Sequence, residues 1–198
     1  MPPLTLRNDV IRARNVSASE CYALLGKHPY STPQKIWARL TDESYLPFPA
    51  NEAMSLGVEF EPAIARYASK KLGIKVRANT KTHELRSQHL CATPDYYVMG
   101  QHGLMEVKLS GITYGWADET LHPHYEYQAR AQMAVTGRDF VVFAVLVGSR
   151  FYSPIVTRDL VKERQLLIAV NDFWRDYVET GIMPPEPGQM PLTATVER

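Results

Sequence analysis

Leu90-Cys-Ala-Thr-Pro-Asp-Tyr-Tyr97 and, shortly after it, Gly103-Leu-Met-Glu-Val-Lys108 carry the deciding signal. Both stretches read as short strands, the first reaching Asp95 near its end. Glu106 and Lys108 are two residues apart on the second strand, so their side chains share one face. A short connection between the strands would bring Asp95 beside Glu106. Two carboxylates and an ammonium on one sheet face are costly to desolvate without a purpose. Hard oxygen ligands of this kind suit Mg²⁺ or Mn²⁺, and a neighbouring lysine can orient or activate an attacking water. The competing reading is an exposed strand edge, which often carries Glu and Lys, so this triplet alone is a weak pattern.

Two neighbouring elements strengthen it. N-terminal to the strands, a helix is expected over Asn51 to Leu72, ended by Gly73. Within it, Glu61 falls in register with Ile64, Ala65, Ala68 and Leu72, at the head of an apolar stripe. It is therefore a carboxylate on an inward face, and Pro62 after it suits a helix start or a kink. The alternative is an acid held at a helix end by the macrodipole. C-terminal to the strands, a helix from about His124 to Thr136 carries Gln128 and Gln132 four residues apart on one face. There an amide could hold water or phosphate, unless the pair faces solvent.

The remaining elements complete an α/β pattern. Ser17-Ala-Ser-Glu20 fits a capping box opening a short helix, with Gly26 to close it. Thr32-Pro33 fits an N-cap followed by proline at the first helical position. Pro47 and Pro49 break the chain before the Glu61 helix. Strands are expected at Ile74–Ala78, His83–Leu85, Phe140–Val147 and Phe151–Val156. Phe140–Val147 is a nearly continuous β-branched run, as expected of a strand buried on both faces. Asp159 caps a last amphipathic helix. The economical fold is one α/β domain over residues 1–198, a central mixed β-sheet flanked by α-helices. Its proline-rich tail, 183–198, is expected to be extended, with little of its own to pack against.

Composition narrows the class. The share of hydrophobic residues, 45%, and of charged residues, 22%, are those of a soluble globular protein. No apolar run approaches the roughly 20 residues of a membrane span. Met1-Pro-Pro-Leu-Thr-Leu-Arg7 shows no apolar signal segment, so a cytoplasmic protein is expected. The two cysteines, Cys21 and Cys91, form no spaced cluster and read as reduced core residues. A net charge of +1 is uninformative, but its distribution is not. Arg66, Lys70, Lys71, Lys75, Arg77, Lys81 and Arg86 face only Glu84 among acids over that stretch, a candidate track for a phosphate backbone. A solvated helix face would look the same.

The joint order of motifs is more specific than any one of them. Ser17-Ala-Ser19, Gly57-x-x-x-Glu61-Pro62, Thr93-Pro94-Asp95, Glu106-Val-Lys108 and Tyr127-Gln128…Gln132-Met133-x-Val135-Thr136-Gly137 follow one another. Over about Arg12 to Val147 this resembles the lambda-type alkaline exonuclease (YqaJ-like viral recombinase) family of PD-(D/E)XK nucleases. The resemblance implies a restriction-endonuclease-like fold. It also implies an Mg²⁺-dependent 5′-to-3′ exonuclease that digests one strand of linear double-stranded DNA to mononucleotides during phage-type recombination. Asp95 would bridge two Mg²⁺ ions, with Mn²⁺ as a substitute, while Glu106 and the backbone carbonyl of Val107 complete one shell. Lys108 would position the water, Glu61 would assist at the metals, and Gln128 would hold water or phosphate. Arg12, Ser19 and Thr93 would grip the terminal 5′-phosphate, and Arg66, Lys70 and Arg77 the rest of the DNA. Relatives of this kind are toroidal homotrimers that often work with a single-strand annealing protein. Two departures are visible: Leu109-Ser110 replaces the family's usual Cys-Pro after the lysine, and Arg14 rivals Arg12.

Other readings stay open at this level: a structure-specific or restriction-like endonuclease of the same superfamily, or a non-catalytic DNA-end-binding module. His122 and His124, around Pro123, are closer to a DNA contact or plain surface than to metal ligands. Trp37 and Trp174 read as core, and Trp116 is open.

Overall fold

The Glu61 helix and the strand of Glu106 and Lys108 form the spine of the molecule. The computed structural model describes residues 4–25, 28–42, 51–111, 116 and 121–186. Gly26, Pro47, Pro49 and the tail beyond Glu186 lie outside them. The helices are α1 (Leu4–Ala13), α2 (Pro33–Thr41), α3 (Glu52–Leu72), α4 (Pro123–Thr136) and α5 (Leu160–Phe173). The strands are β1 (Val16–Ser17), β2 (Lys75–Ala78), β3 (His83–Leu85), β4 (Leu90–Ala92), β5 (Tyr96–Met99), β6 (Gly103–Ser110), β7 (Phe140–Val147), β8 (Arg150–Tyr152) and β9 (Ile155–Thr157).

Helix ends follow their local chemistry. Thr32 Oγ1 accepts the Lys35 N–H, Asn51 caps α3 through Met54 N–H, and Asp159 caps α5 through Val161 and Lys162. Gly73 and Gly137 close α3 and α4 at φ of 66° and 72°, a left-handed conformation that costs glycine least. At Ser17 the capping-box contact is present, since Glu20 Oε2 accepts the Ser17 N–H at 3.0 Å. The turn that follows, Cys21–Leu25, is 3₁₀ rather than α. α3 runs unbroken past Pro62, having started ten residues earlier at Glu52. Pro62 therefore starts no helix.

Six strands form a mixed sheet in the order β2-β5-β6-β7-β8, with β9 also paired to β7. β6 and β7 run parallel over their full length, Glu106 opposite Phe143, and α4 makes the crossover. β8 and β9 share one edge of β7, so the expected Phe151–Val156 strand is two short ones broken at Ser153-Pro154. Leu90–Tyr97 is not a single strand: β4 joins β1 and β3 in a separate three-stranded sheet, while β5 belongs to the large one. Thr93-Pro94-Asp95 is the crossing point. Pro94 has no N–H for a ladder, and Asn79 secures the bend by donating from Nδ2 to Pro94 O and from its N–H to Asp95 O, both 2.8 Å.

The pleat sorts β6 between two cores. Met105 and Val107 pack with Ile64, Ala65 and Ala68 of α3. Leu104 faces the other way, with Ala129 and Met133 of α4, Phe143 and the buried Trp116. Trp116 is thus core. A third cluster joins α2, β4 and α5 and contains Cys21. The start of the tail does have a partner: Pro184 is buried, and its carbonyl accepts from Gln34 Nε2 of α2 at 3.3 Å.

Candidate active site

Glu106 shares the β6 face of Leu104, under α4, and is only 3% exposed. Three donors meet its carboxylate. Lys108 Nζ and Gln128 Nε2 reach Oε1 at 2.7 and 2.6 Å, and Gln132 Nε2 reaches Oε2 at 2.7 Å. The helix spacing that put both amides on one face therefore aims them at a single acid. The outer oxygen of Gln132, Oε1, is buried without a hydrogen-bond partner among the described residues.

Asp95 enters from the crossing point. Its Oδ2 accepts the Val107 N–H at 2.7 Å, in the stretch of β6 beyond the end of the β5 ladder. Burial lifts the Asp95 pKa well above the usual carboxylate range, and the neighbouring Glu106 charge adds to it; Lys108 works against both. For Lys108, burial disfavours the ammonium, but Glu106 and Asp95 outweigh it and hold the pKa above that of an ordinary lysine. In this arrangement Lys108 is a charged donor, not a base. Glu61 lies near the Tyr96 hydroxyl; burial raises its pKa, with Glu106 adding to the rise and Tyr96 opposing it. The Tyr96 hydroxyl is pushed up to about 12 by burial and by Glu61.

A buried carboxylate of raised proton affinity beside another, as Asp95 is beside Glu106, is what a divalent cation relieves. Among the described residues no three His, Cys, Asp or Glu side chains converge tightly enough to hold an ion alone. Mg²⁺ takes one or two carboxylates and fills its shell with water and phosphate oxygens. Asp95 and Glu106 fit such an ion.

A cleft of about 820 Å³ opens in front of Asp95, Glu106, Gln128 and Gln132. Arg12, Arg14, Ser19, Thr93 and Arg39 line the same cleft. Arg12 and Arg14 both lie there exposed. Thr93 Oγ1 lies 2.9 Å from Thr82 Oγ1, and Ser19 Oγ 3.1 Å from Ser17 Oγ. Arg39 lies in the last turn of α2. It grips Glu20 with Nε and Nη2 at 3.0 and 2.7 Å and donates to the carbonyls of Arg12 and Asn15. Its interest lies in fixing the Arg12–Ser17 segment from a helix 20 residues on, which no local pattern reveals.

The basic stretch does not form one track. Arg66 and Lys70 line a second depression of about 430 Å³ with Val76 and Tyr96. Arg77, next to Val76 on β2, points to the opposite sheet face and stacks 5.5 Å over Tyr97. Arg86 pairs with Glu84 at 2.8 Å. His122 caps α4 and lies against His124, whose pKa burial lowers to about 3, with His122 and His28 adding to the effect.

A mixed sheet with α3 on one face, α4 on the other and Asp-Glu-Lys at the joint is the PD-(D/E)XK nuclease architecture. Residues 9–139 match the YqaJ-like viral recombinase domain, and the chain belongs to that family. Its fold is also that of solved exonucleases. An alkaline exonuclease, LHK-Exo, from Laribacter hongkongensis superposes with a TM-score of 0.73 at 22% identity, over 88% of this chain and 93% of that one. The same protein in complex with dAMP gives 0.70 at 21%, over 86% and 91%. A phage-related exonuclease from Haemophilus somnus 129PT gives 0.60 at 16%, over 84% and 96%. No curated protein sequence matches significantly. Among the described residues no helix is long and apolar enough to cross a membrane.

Proposed function

We propose that the protein is a divalent-metal-dependent deoxyribonuclease that digests one strand of linear double-stranded DNA from its 5′ end to mononucleotides. The observation that carries this is the Asp95–Glu106–Lys108 group, with both Glu106 oxygens hydrogen-bonded, and the cleft that Asp95 and Glu106 line together with Arg12, Arg14 and Arg39. Membership in the recombinase family and the fold of the exonucleases support it.

Asp95, Glu106 and the Val107 carbonyl would hold Mg²⁺, or Mn²⁺ in its place, and Glu61 would support the site from α3. The bound metal would supply Lewis acidity toward a phosphate oxygen and a more acidic water. Gln128 and Gln132 hold Glu106 in one orientation. Lys108, charged, donates toward the attacking water and offsets negative charge on the phosphate. Arg12 or Arg14, with Ser19 and Thr93, would take the terminal 5′-phosphate. A guanidinium fork suits that dianion better than an internal diester. Arg66, Lys70 and Arg77 would hold duplex backbone, the first two on one sheet face and the third on the other. A homotrimeric ring, and cooperation with a single-strand annealing protein in recombination, complete the reading by analogy with the family.

The test is Mg²⁺-dependent digestion of linear duplex bearing phosphate at a single 5′ end, beside a covalently closed circle. Release of mononucleotides from the phosphorylated strand alone, with the circle intact, is expected. Cutting of the circle would make the protein an endonuclease. Arg12→Ala and Arg14→Ala, measured on phosphorylated and hydroxyl ends, assign the phosphate contact to whichever variant loses the end preference.

A further inference from the structure

The proposed chemistry leaves one group of side chains beside the site unused. Lys108 Nζ, 2.7 Å from Glu106, also lies 5.8 Å from the centroid of the Tyr125 ring. From Tyr125 a row of rings leads outward. His124 follows at 3.7 Å between centroids and His28 at 5.4 Å from His124. Tyr30 stands 6.1 and 6.4 Å from the two histidines. The inner end is rigid, because Trp116 and Phe143 back Tyr125. The outer end is open, with Tyr30 73% exposed.

His28 is also fixed. Its Nδ1 accepts the N–H groups of Tyr30 and Ser31, both at 3.0 Å, and the ring lies near the backbone of Ser19. The row therefore runs between Ser19, which lines the arginine-bearing cleft, and Lys108, at the carboxylates. On the reading above, those are the places of the 5′-phosphate and of the phosphate to be cut. One nucleotide joins two such phosphates, and to place both it has to surrender its stacking in the duplex. Its base then needs another aromatic surface. Burial keeps both histidines neutral, so the row offers π faces rather than charge.

We propose that His28, Tyr30 and His124 seat the nucleobase of the terminal 5′ nucleotide by stacking, between its own phosphate and the bond to be cut. This rests on the nuclease reading and adds a subsite for an unpaired base to it. Such a seat is sequence-tolerant, since every base has a π face, as digestion through arbitrary sequence requires.

The test uses the full chain on 5′-phosphorylated duplexes that differ only at the terminal 5′ residue, a normal nucleotide or an abasic deoxyribose. KM and kcat for release of the first residue are measured with wild type, Tyr30→Ala and Tyr30→Phe. Wild type is expected to show a KM at least about fivefold lower for the normal end, the scale of one base–aromatic stack. Tyr30→Ala should bring that ratio close to one, with kcat on saturating DNA little changed, and Tyr30→Phe should retain it. A wild type that digests both ends with equal KM, or a Tyr30→Ala ratio equal to wild type, overturns the base seat and leaves the nuclease reading standing. A wild type that digests neither duplex with any divalent metal removes both.

Discussion

Glu106 and Glu163 are equally hidden, each 3% exposed, and each has a basic side chain within 3 Å: Lys108 at 2.7 Å and Arg158 at 2.9 Å. Their remaining partners differ. Glu106 has amide donors on both oxygens besides the lysine. Glu163 takes one bond, from Arg158 Nη2 to Oε2, while its Oε1 and Arg158 Nε have no hydrogen-bond partner among the described residues. Burial raises the Glu163 pKa despite Arg158. Desolvation is thus similar at the two positions, and the placed donors make the difference. A buried carboxylate that must keep its geometry needs both oxygens met; one that only ties α5 to the preceding loop does not.

The largest expected effect breaks the Glu106 side of the contrast at its neighbour. Asp95→Asn should lower the rate of duplex digestion by about 10³-fold or more, the several kcal/mol that a metal's charge supplies. Mg²⁺ should raise the melting temperature of the wild type and leave that of the variant unchanged. A near-normal rate in Asp95→Asn would remove the residue from the site. Lys108→Ala should cost a comparable factor in rate while keeping the metal-induced rise in melting temperature. Loss of that rise would make the lysine part of metal binding rather than of water positioning.

Gln132→Leu gives Glu106 one bare oxygen and so turns it into a second Glu163. Metal affinity, read by calorimetry, should fall about 10- to 100-fold, as for removal of other groups that orient a ligand. Stability should fall by about 1–3 kcal/mol for the unsatisfied oxygen. An unchanged affinity would show that Lys108 and Gln128 suffice.

The smallest effect is at Glu163. Below its ordinary value of 4.5 the carboxyl is protonated whether the chain is folded or not. Above it the unfolded chain ionises first while the folded one holds its proton. The wild type therefore loses stability relative to Glu163→Gln as pH rises, until the folded pKa is passed. The melting difference, variant minus wild type, should grow upward from pH 4.5 and level off once the folded pKa is passed. A difference that shrinks over the same interval would mean that Arg158 outweighs burial.

What can be read in the chain without its structure is what short-range geometry dictates. Period two places Glu106 and Lys108 on one face of β6, and period 3.6 places Gln128 and Gln132 on one face of α4. Thr32, Asn51 and Asp159 start their helices, and Gly73 and Gly137 end α3 and α4, because a cap needs only its own turn. The inward stripe headed by Glu61 also follows from spacing, with Ile64, Ala65 and Ala68 buried. Other features depend on which elements meet. Asp95 sits at a crossing between two sheets, which Pro94 permits but only the pairing of β4 with β1 and of β5 with β6 creates. The bond from Gln132 to Glu106 and the grip of Arg39 on Glu20 join residues 26 and 19 apart in sequence. Arg66 and Arg77, near neighbours in the basic stretch, end on opposite faces because a helix and a strand intervene with different periods. Periodicity is a property of the backbone and can be seen in any window of sequence. Contact across elements is decided by which apolar faces bury against each other, and that is settled only when the whole chain packs.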